Sequence, residues 1–526
     1  MTPGRINPSI GKAFTDVKAD YNAARTSRFR RRRTGVAALG SGADYHYRSE
    51  SDFMRMIECA RDMDRNDVIV GQMVDRAVLN TVQGGIRPDP QTGDTGVDAE
   101  LALRFTAWAD DPETCDAMGE LTFWEQQAQV LRSTFVDGDI LGLPLEDGPL
   151  QLVEGHRLRK PTNTTRNVVN GILLDEDRRP IEYWFTKDDI DPHISLSRVS
   201  DIERYDAYDG QGNPTVFHMK RGKRSTQTRG VTAFAPIFDQ LGMFEDITFA
   251  KLVQQQAVSC IAFIRNQEMG APVDGDNTSS YGDTTTETLT SGATRLIDEI
   301  APGMEIVSKP GEKIEGFSPS VPNSEFFQHA RLTLQLIGVN IGMPLILLLM
   351  DGSETNFTGW RGALDQAHMG FRDNQRWLIN RFCRKVWSWK VREFLENDLA
   401  LRKAAARLET QNNDIHRHEW NAPGWKYIQP LQDAQGDALR LEKRLTSPRR
   451  IHTDRGQDYA VIASEIVDDN KLLILKALEA RDEVAEQHPS DTIDWREFLH
   501  VPNVIDQKPG LPSAPTTTTV EEVNQA

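Results

Sequence analysis

Apolar residues along this chain follow two different rhythms. From Ser49 to Leu79, from Val97 to Ala109 and from Leu121 to Phe135 they recur at helical spacing. In the third stretch Phe123, Trp124, Ala128, Val130, Leu131 and Phe135 are the apolar members. Between Ile140 and Met219 short runs of branched and aromatic residues alternate with turn signals, which predicts a β-rich module. Within it, Ile172–Leu174 and Ile181–Phe185 are expected to pair as a hairpin around Asp175–Pro180, and TVFHMK reads as a further strand. Helical spacing returns at Phe234, Ile237, Leu241, Phe244, Ile247 and Leu252. The Gly-, Ser-, Thr- and Asp-rich segment from Gly270 to Arg295 reads as loop, and GMEIVSKPGEKIEGFSP after it as one or two short strands. A helix is expected from about Asn323 to Ile341, stopped by Pro344.

The greasiest run, Leu345–Met350, sits directly before the polar stretch Asp351–Asn356. After it begins the longest helical pattern, with Trp360, Leu364, Ala367, Phe371, Leu378, Phe382, Val386 and Trp389 as its stripe and Asn356 as its N-cap. About 40 residues of helix make a rod of about 60 Å. A β-like piece at Trp420–Ile428 and helices at Leu439–Arg444 and Tyr459–Arg481 complete the pattern. Two helices bracketing a small module point to a stalk with something at its tip.

Length and charge narrow the class. At 526 residues the chain is too long for one core, so about two to four domains are expected. No apolar run approaches the roughly 18–20 residues that span a bilayer, and the N-terminus lacks the apolar segment of a secretory signal. Four well-separated cysteines argue against a disulfide framework or a zinc site. With 61 basic and 78 acidic residues the formal charge is −17, the wrong sign for simple adhesion to nucleic acid. The basic run Arg28–Arg33 is either a solvated arm or a local phosphate contact.

Candidate chemistry is sparse. Asp137 and Asp139, two apart around Gly138, have the spacing of a divalent-ion pair, but a turn entering a strand explains them equally well. His416, His418 and Glu419 look like ligands, and the two histidines would share one face of a strand. No third His or Cys lies near them in sequence, and surface histidines explain them better. The chain contains no GxSxG, no GxxxxGK[ST] and no GxGxxG after a strand.

Several segments, in order, resemble the lambda family of tailed-phage portal proteins. They are LQLVEGHRL, GILLDEDRRPIEYWF, VFHMKR followed by QTRGVTAFAPIF, PGMEIVSKPGEKIEGFSPSVPNSEF, IGMPLILLLMDGSETNFTGWRGAL, and Trp420-x-x-Pro423-x-Trp425. The resemblance covers roughly residues 45–480. The chain departs from the family at Phe357-Thr358-Gly359-Trp360, where Ser-Ser is usual after the aromatic residue. DEDRRP lacks the usual turn glycine, and the Thr-rich insertion near 273–294 is not a general family feature.

The resemblance implies an α+β portal fold with a β-rich wing, helical stem, small α/β clip, long spine helix and helical crown. Mapped onto this chain, residues 1–45 would be a basic arm and 46–233 the wing. The first stem helix would be 234–266, the clip with its insertion 267–322 and the second stem helix 323–342. A tunnel loop at 343–358 would precede the long helix and return to the wing at 359–428. The crown would be 429–485 and the tail 486–526. It further implies a homo-oligomeric ring, a dodecamer in the virion, at one vertex of the capsid, put together in the host cytoplasm. Double-stranded DNA would pass through its centre. The terminase large subunit, a head–tail connector or completion protein and the major capsid or scaffold protein would be partners. No enzyme activity, cofactor, metal or membrane is implied. Leu345, Ile346, Leu347, Leu348, Leu349 and Met350 would pack the base of the tunnel loop. Asp351, Gly352, Ser353, Glu354, Thr355 and Asn356 would face the DNA. An electronegative wall repels phosphates, so the net acidity suits a conduit better than a clamp. The competing reading is a metal-dependent phage enzyme that processes nucleic acid through Asp137, Asp139, His416 or His418.

Overall fold

Asp67 divides the first helical stretch in two. Its Oδ1 accepts hydrogen bonds from the Ile69 and Val70 amides at 2.7 and 3.0 Å, separating α1 (Glu50–Asn66) from α2 (Val68–Val82). This is a computed structural model; it describes residues 50–487 apart from 147, 162–163, 165–166, 189–200, 266–283, 289–293, 299–303, 308–323, 354–355, 426–428 and 458. The expected arm at 1–45 and most of the expected tail lie outside the described residues. The chain forms two compact units that divide after Pro423.

In the first unit, β1 (Arg87–Pro90) leads to α3 (Thr95–Asp110), capped by Asp94, then to the single turn α4 (Pro112–Cys115). A full capping box between Thr122 and Glu125 starts α5 (Phe123–Val136). Strands β2 (Asp139–Pro144), β3 (Leu150–Glu154), β4 (Val168–Val169), β5 (Ile172–Leu174), β6 (Pro180–Thr186), β7 (Ile202–Asp206) and β8 (Phe217–Lys220) follow. They form two antiparallel sheets, of order β3-β2-β8 and β4-β5-β6-β7. The expected hairpin is present, with Ile172 opposite Tyr183 and Leu173 opposite Glu182. At its turn Arg178 takes φ 66°, the left-handed region. This is a conformation that glycine adopts most readily, and the Arg178 Nη2 donates to Thr226 O and Thr228 Oγ1. Leu141, Leu143, Val153, Ile172, Tyr183 and Phe185 pack between the sheets as one core.

Helix α6 (Phe238–Cys260) then runs into β9 (Ile261–Arg265). The helix expected to reach residue 266 thus ends six residues early. Ile261, Phe263 and Ile264 are branched or aromatic, and they are paired in parallel with β12 (Met304–Val307). Between them β10 (Thr284–Thr288) and β11 (Thr294–Asp298) form an antiparallel hairpin. The run Thr284–Thr286, expected to be loop, is therefore strand, in keeping with threonine's branched Cβ, which suits a pleated backbone. Helix α7 (Ser324–Ile341) packs against α6. After it comes a short helix, α8 (Leu345–Leu349), where a loop was expected.

The long helical pattern is continuous from 357 to 397, as α9 (Phe357–Leu378), a π-helical turn (Ile379–Cys383) and α10 (Arg384–Asn397). One residue more per turn rotates the buried stripe by roughly 100°. Ala367, Phe371, Leu378 and Phe382 are buried before or within the turn, and after it Trp387 rather than Trp389 is fully buried. Asp398 ends the rod and caps α11 (Leu399–Thr410) through the amides of Ala400 and Leu401. The strand expected at 420–428 begins earlier, as β13 (His418–Asn421), and pairs antiparallel with β1. The second unit consists of α12 (Pro430–Glu442), α13 (Pro448–Asp454) and α14 (Tyr459–Gln487).

An aromatic cluster joins these parts of the first unit. Phe105 on α3 lies 5.5 Å from Phe123, 5.1 Å from Trp387 and 6.1 Å from Trp420 between ring centroids. Phe105→Ala would open a cavity shared by α3, α5, α10 and β13. A loss of about 3–5 kcal/mol in urea unfolding is expected.

Candidate functional site

The polar stretch at 351–356 is held at both ends by helix termini. Helix α7 stops in a Schellman motif: Gly342, at φ 77°, donates to Val339 O at 3.2 Å, and Met343 donates to Gly338 O at 2.9 Å. A Cβ on Gly338 would overlap Met343 O, so a small residue is required there. Met343 is buried, and Pro344 restarts the chain as α8, its carbonyl accepting from the Leu347 and Leu348 amides. Arg76 on α2 donates through Nη1 to Leu347 O at 2.6 Å and ties α8 to the wing helices.

The six apolar residues do not share one environment. Leu348 is buried, Leu345, Ile346 and Leu347 are half-buried, and Leu349 and Met350 are exposed, Met350 to 76%. Met350 caps α8 with φ 54° and ψ 27°, an unusual conformation for a side chain of its size. The Asp351 carboxylate accepts from the Ser353 amide at 2.9 Å. That amide and the Ser353 hydroxyl hold the Asp351 carboxyl below its ordinary range, so it stays charged. Gly352 lies against the Trp360 indole, where any Cβ would overlap the ring. Asn356 caps α9: its Oδ1 accepts from the Gly359 amide at 2.7 Å. Asp351, Ser353 and Asn356 are exposed and Gly352 is partly covered; Glu354 and Thr355 lie outside the described residues. The fold thus brings Asp351–Ser353 and Trp360 together. The contact of Gly352 with Trp360 carries no sequence signal beyond a glycine and an aromatic residue eight apart.

Asp137 and Asp139 each face an arginine. Arg61 grips Asp137 through Nε at 2.9 Å and Nη2 at 2.6 Å, and also reaches Glu154 at 2.7 Å. Burial raises the Asp137 carboxyl, with Arg61 opposing. Arg229 binds Asp139 through Nε at 2.6 Å and Nη2 at 3.0 Å, both side chains being fully buried. Its remaining donors go to Gly155 O at 2.6 Å and Asn170 O at 2.8 Å. His218 Nε2 and the Gly230 amide lie 3.1 Å from Asp139 Oδ2. Burial disfavours the Asp139 charge, yet Arg229 and His218 outweigh it and hold the carboxyl well below its usual range. Burial pushes the His218 imidazole down to about 4, so it is neutral at physiological pH. The Gln-x-Arg-Gly and His signatures of the sequence thus converge with the Asp-Gly-Asp turn on one buried ion pair.

His416 and His418 are half-buried on or beside β13, and His418 lies over Trp387 at 5.3 Å. Burial lowers the pKa of both. Among the described residues, no group of three or more His, Cys, Asp or Glu is placed to hold a metal ion. No helix among them is long and apolar enough to cross a membrane.

Two variants probe this arrangement. Arg229→Met leaves Asp139 buried without its partner and is expected to lose about 3–5 kcal/mol in urea unfolding. Combining it with Asp139→Asn, which removes the stranded charge, is expected to cost less than the sum of the single changes. Gly352→Ala displaces Trp360: faster hydrogen exchange is expected at 351–360, with global stability held within about 0.5 kcal/mol.

Residues 30–375 match the family model for phage portal protein, lambda family. The portal protein of Escherichia phage N15 is 20% identical over 403 residues, 71% of this chain and 70% of that protein. Among solved structures, a chain in the virion of a native gene transfer agent particle gives a TM-score of 0.37 at 13% identity. It covers 76% of this chain and 93% of its own. A chain in the neck of a native gene transfer agent particle, computed with C12 symmetry, gives 0.39 at 12% identity with the same coverage. With the family match spanning well over half its length, this chain belongs to the lambda family of phage portal proteins.

Proposed function

We propose that copies of this chain assemble into a ring at one capsid vertex, through which double-stranded DNA is packaged and ejected. One observation carries the reading beyond family membership. The two stem helices leave large apolar side chains in water in the single chain. On α6 these are Met243, Phe249, Leu252 and Val253; on α7 they are Phe327, Leu332, Leu336 and Val339. Covering each such side chain contributes roughly 1.5–3 kcal/mol. A head-to-tail ring covers them with neighbouring copies, one face of each chain meeting a different face of the next. Exposed apolar surface on this scale marks a contact.

The 351–356 loop then lines the path. Asp351 is exposed and held ionised by Ser353. A ring multiplies that charge around the lumen and repels the phosphates of a passing duplex, which keeps DNA centred and mobile. The small module between α6 and α7, whose described elements are the strands β9–β12, would dock the terminase large subunit and then a head–tail connector. A dodecamer, contact with the major capsid or scaffold protein, and assembly in the host cytoplasm complete the proposal. The enzymatic alternative would draw on Asp137 and Asp139, and both carboxylates are already engaged by arginines.

Negative-stain microscopy of the purified chain tests the ring: annular particles with a central hole are expected, and a monomer under every assembly condition refutes it. Replacing Asp351 and Glu354 by Lys adds phosphate contacts and is expected to slow packaging several-fold in a reconstituted reaction. An unchanged rate places the loop away from the DNA.

A further inference from the structure

Arg221 is half-buried and, unlike Arg61, Arg159 and Arg229 in the same unit, has no carboxylate partner among the described residues. Its guanidinium lies between two aromatic rings, 4.8 Å from Phe135 and 4.6 Å from Trp377. Its Nη2 donates to the neutral Asn374 Oδ1 at 2.8 Å, and its Nε is buried with no acceptor. Arg61, Arg159 and Arg229 each hold a carboxylate at 2.6–2.7 Å. Among the described residues no carboxylate lies within ion-pair distance of Arg221, and Asp373 acts on it only from farther away. Burial accordingly pushes this guanidinium down to about 10. A cation drawn partly out of water without a counter-charge is less well solvated than a free one.

Beside Arg221 is a cavity of about 200 Å³, lined also by Phe135, Lys223, Thr232, Asn340 and Asn374. Asn374 on α9 meets Arg221 in its wall, Asn340 on α7 is a second side-chain amide there, and the cavity has room for a carboxylate. Asn340 and Ile341 in its wall end the same helix that exposes Leu332, Leu336 and Val339. The pocket therefore adjoins the apolar stem surface read above as a contact between copies.

We propose that this pocket is an anion site, incomplete in one chain, that an Asp or Glu side chain of a second copy fills on assembly. The inference rests on the ring reading. Stacking fixes the guanidinium plane and Asn374 holds Nη2, which leaves the other terminal nitrogen, Nη1, for an incoming oxygen. The occupant is assigned to a second copy because the chain carries 78 acidic against 61 basic residues and because the pocket borders the stem face.

Sedimentation of the full-length chain at low and high salt tests this. Arg221→Met is expected to keep the wild-type circular dichroism and to weaken ring assembly by about tenfold or more at low salt. Arg221→Lys, which keeps the charge and loses the fork, is expected to weaken it less. It carries the comparison if Arg221→Met does not fold. Rings that form equally well with either variant overturn the proposal while leaving the ring reading intact. A wild-type chain that never forms rings overturns both. Thermal stabilisation of the unassembled wild type by inorganic phosphate, absent in Arg221→Met, would assign the pocket to a phosphate ligand and overturn the carboxylate.

Discussion

The buried pair between Asp139 and Arg229 ties four separate stretches of the wing to one point. Asp139 opens β2, Arg229 sits in the segment leading to the stem, and the arginine's other donors reach Gly155 after β3 and Asn170 before β5. Two charges out of water are unfavourable unless paired and fully hydrogen-bonded, and here nearly every lone pair and donor has a partner. The pair also dictates glycine around it. Gly138 takes φ 98° against the backbone of Val231, and a Cβ on Gly155 or Gly230 would overlap Asp139 or Gly138. Close backbone approach brings donors to the carboxylate, and only residues without a Cβ permit it.

From that point the order passes outward to the stem. Just past Arg229, Thr232 and Ala233 hydrogen-bond the end of α5 through Phe135 O, and Asn340 on α7 donates to Ala233 O at 2.7 Å. The first stem helix therefore leaves the wing, and the second returns to it, at a backbone already fixed by the ion pair. The spine helix closes the arrangement from the other side. Gln375 donates from Nε2 to Thr81 O at 2.9 Å and to Pro423 O at 2.8 Å, joining α2, α9 and the end of the first unit. The polar loop is suspended between these two rigid returns.

Charge is sorted by depth. The net −17 is set by surface carboxylates, while Arg61, Arg159 and Arg229 are drawn inside, where they neutralise buried carboxylates or cap carbonyls. Each takes a carboxylate with it, Asp137, Glu50 and Asp139, so these pairs leave the net acidity of the rest of the chain unchanged.

Much of the secondary structure was legible because local rules decide it. The helix over 123–135, the N-cap at Asn356, the stop at Pro344, the β5–β6 pairing and the long rod from 357 follow from spacing and terminal residues. Where pairing across long separations decides, local reading fails. Ile261–Arg265 is strand because Met304–Val307 lies beside it, and Thr284–Thr288 because Thr294–Asp298 does. The π turn, and with it the exchange of Trp389 for Trp387 in the core, depends on which rings surround the rod. The sequence by itself determined the order of helices and strands, the acidic balance and the family motifs. Only the tertiary structure decided that Asp137 and Asp139 serve arginines rather than a metal, and that Gly352 rests on Trp360. The reason is physical: a carboxylate or a glycine has no fixed role until the fold supplies its neighbour, and those neighbours come from segments far away along the chain.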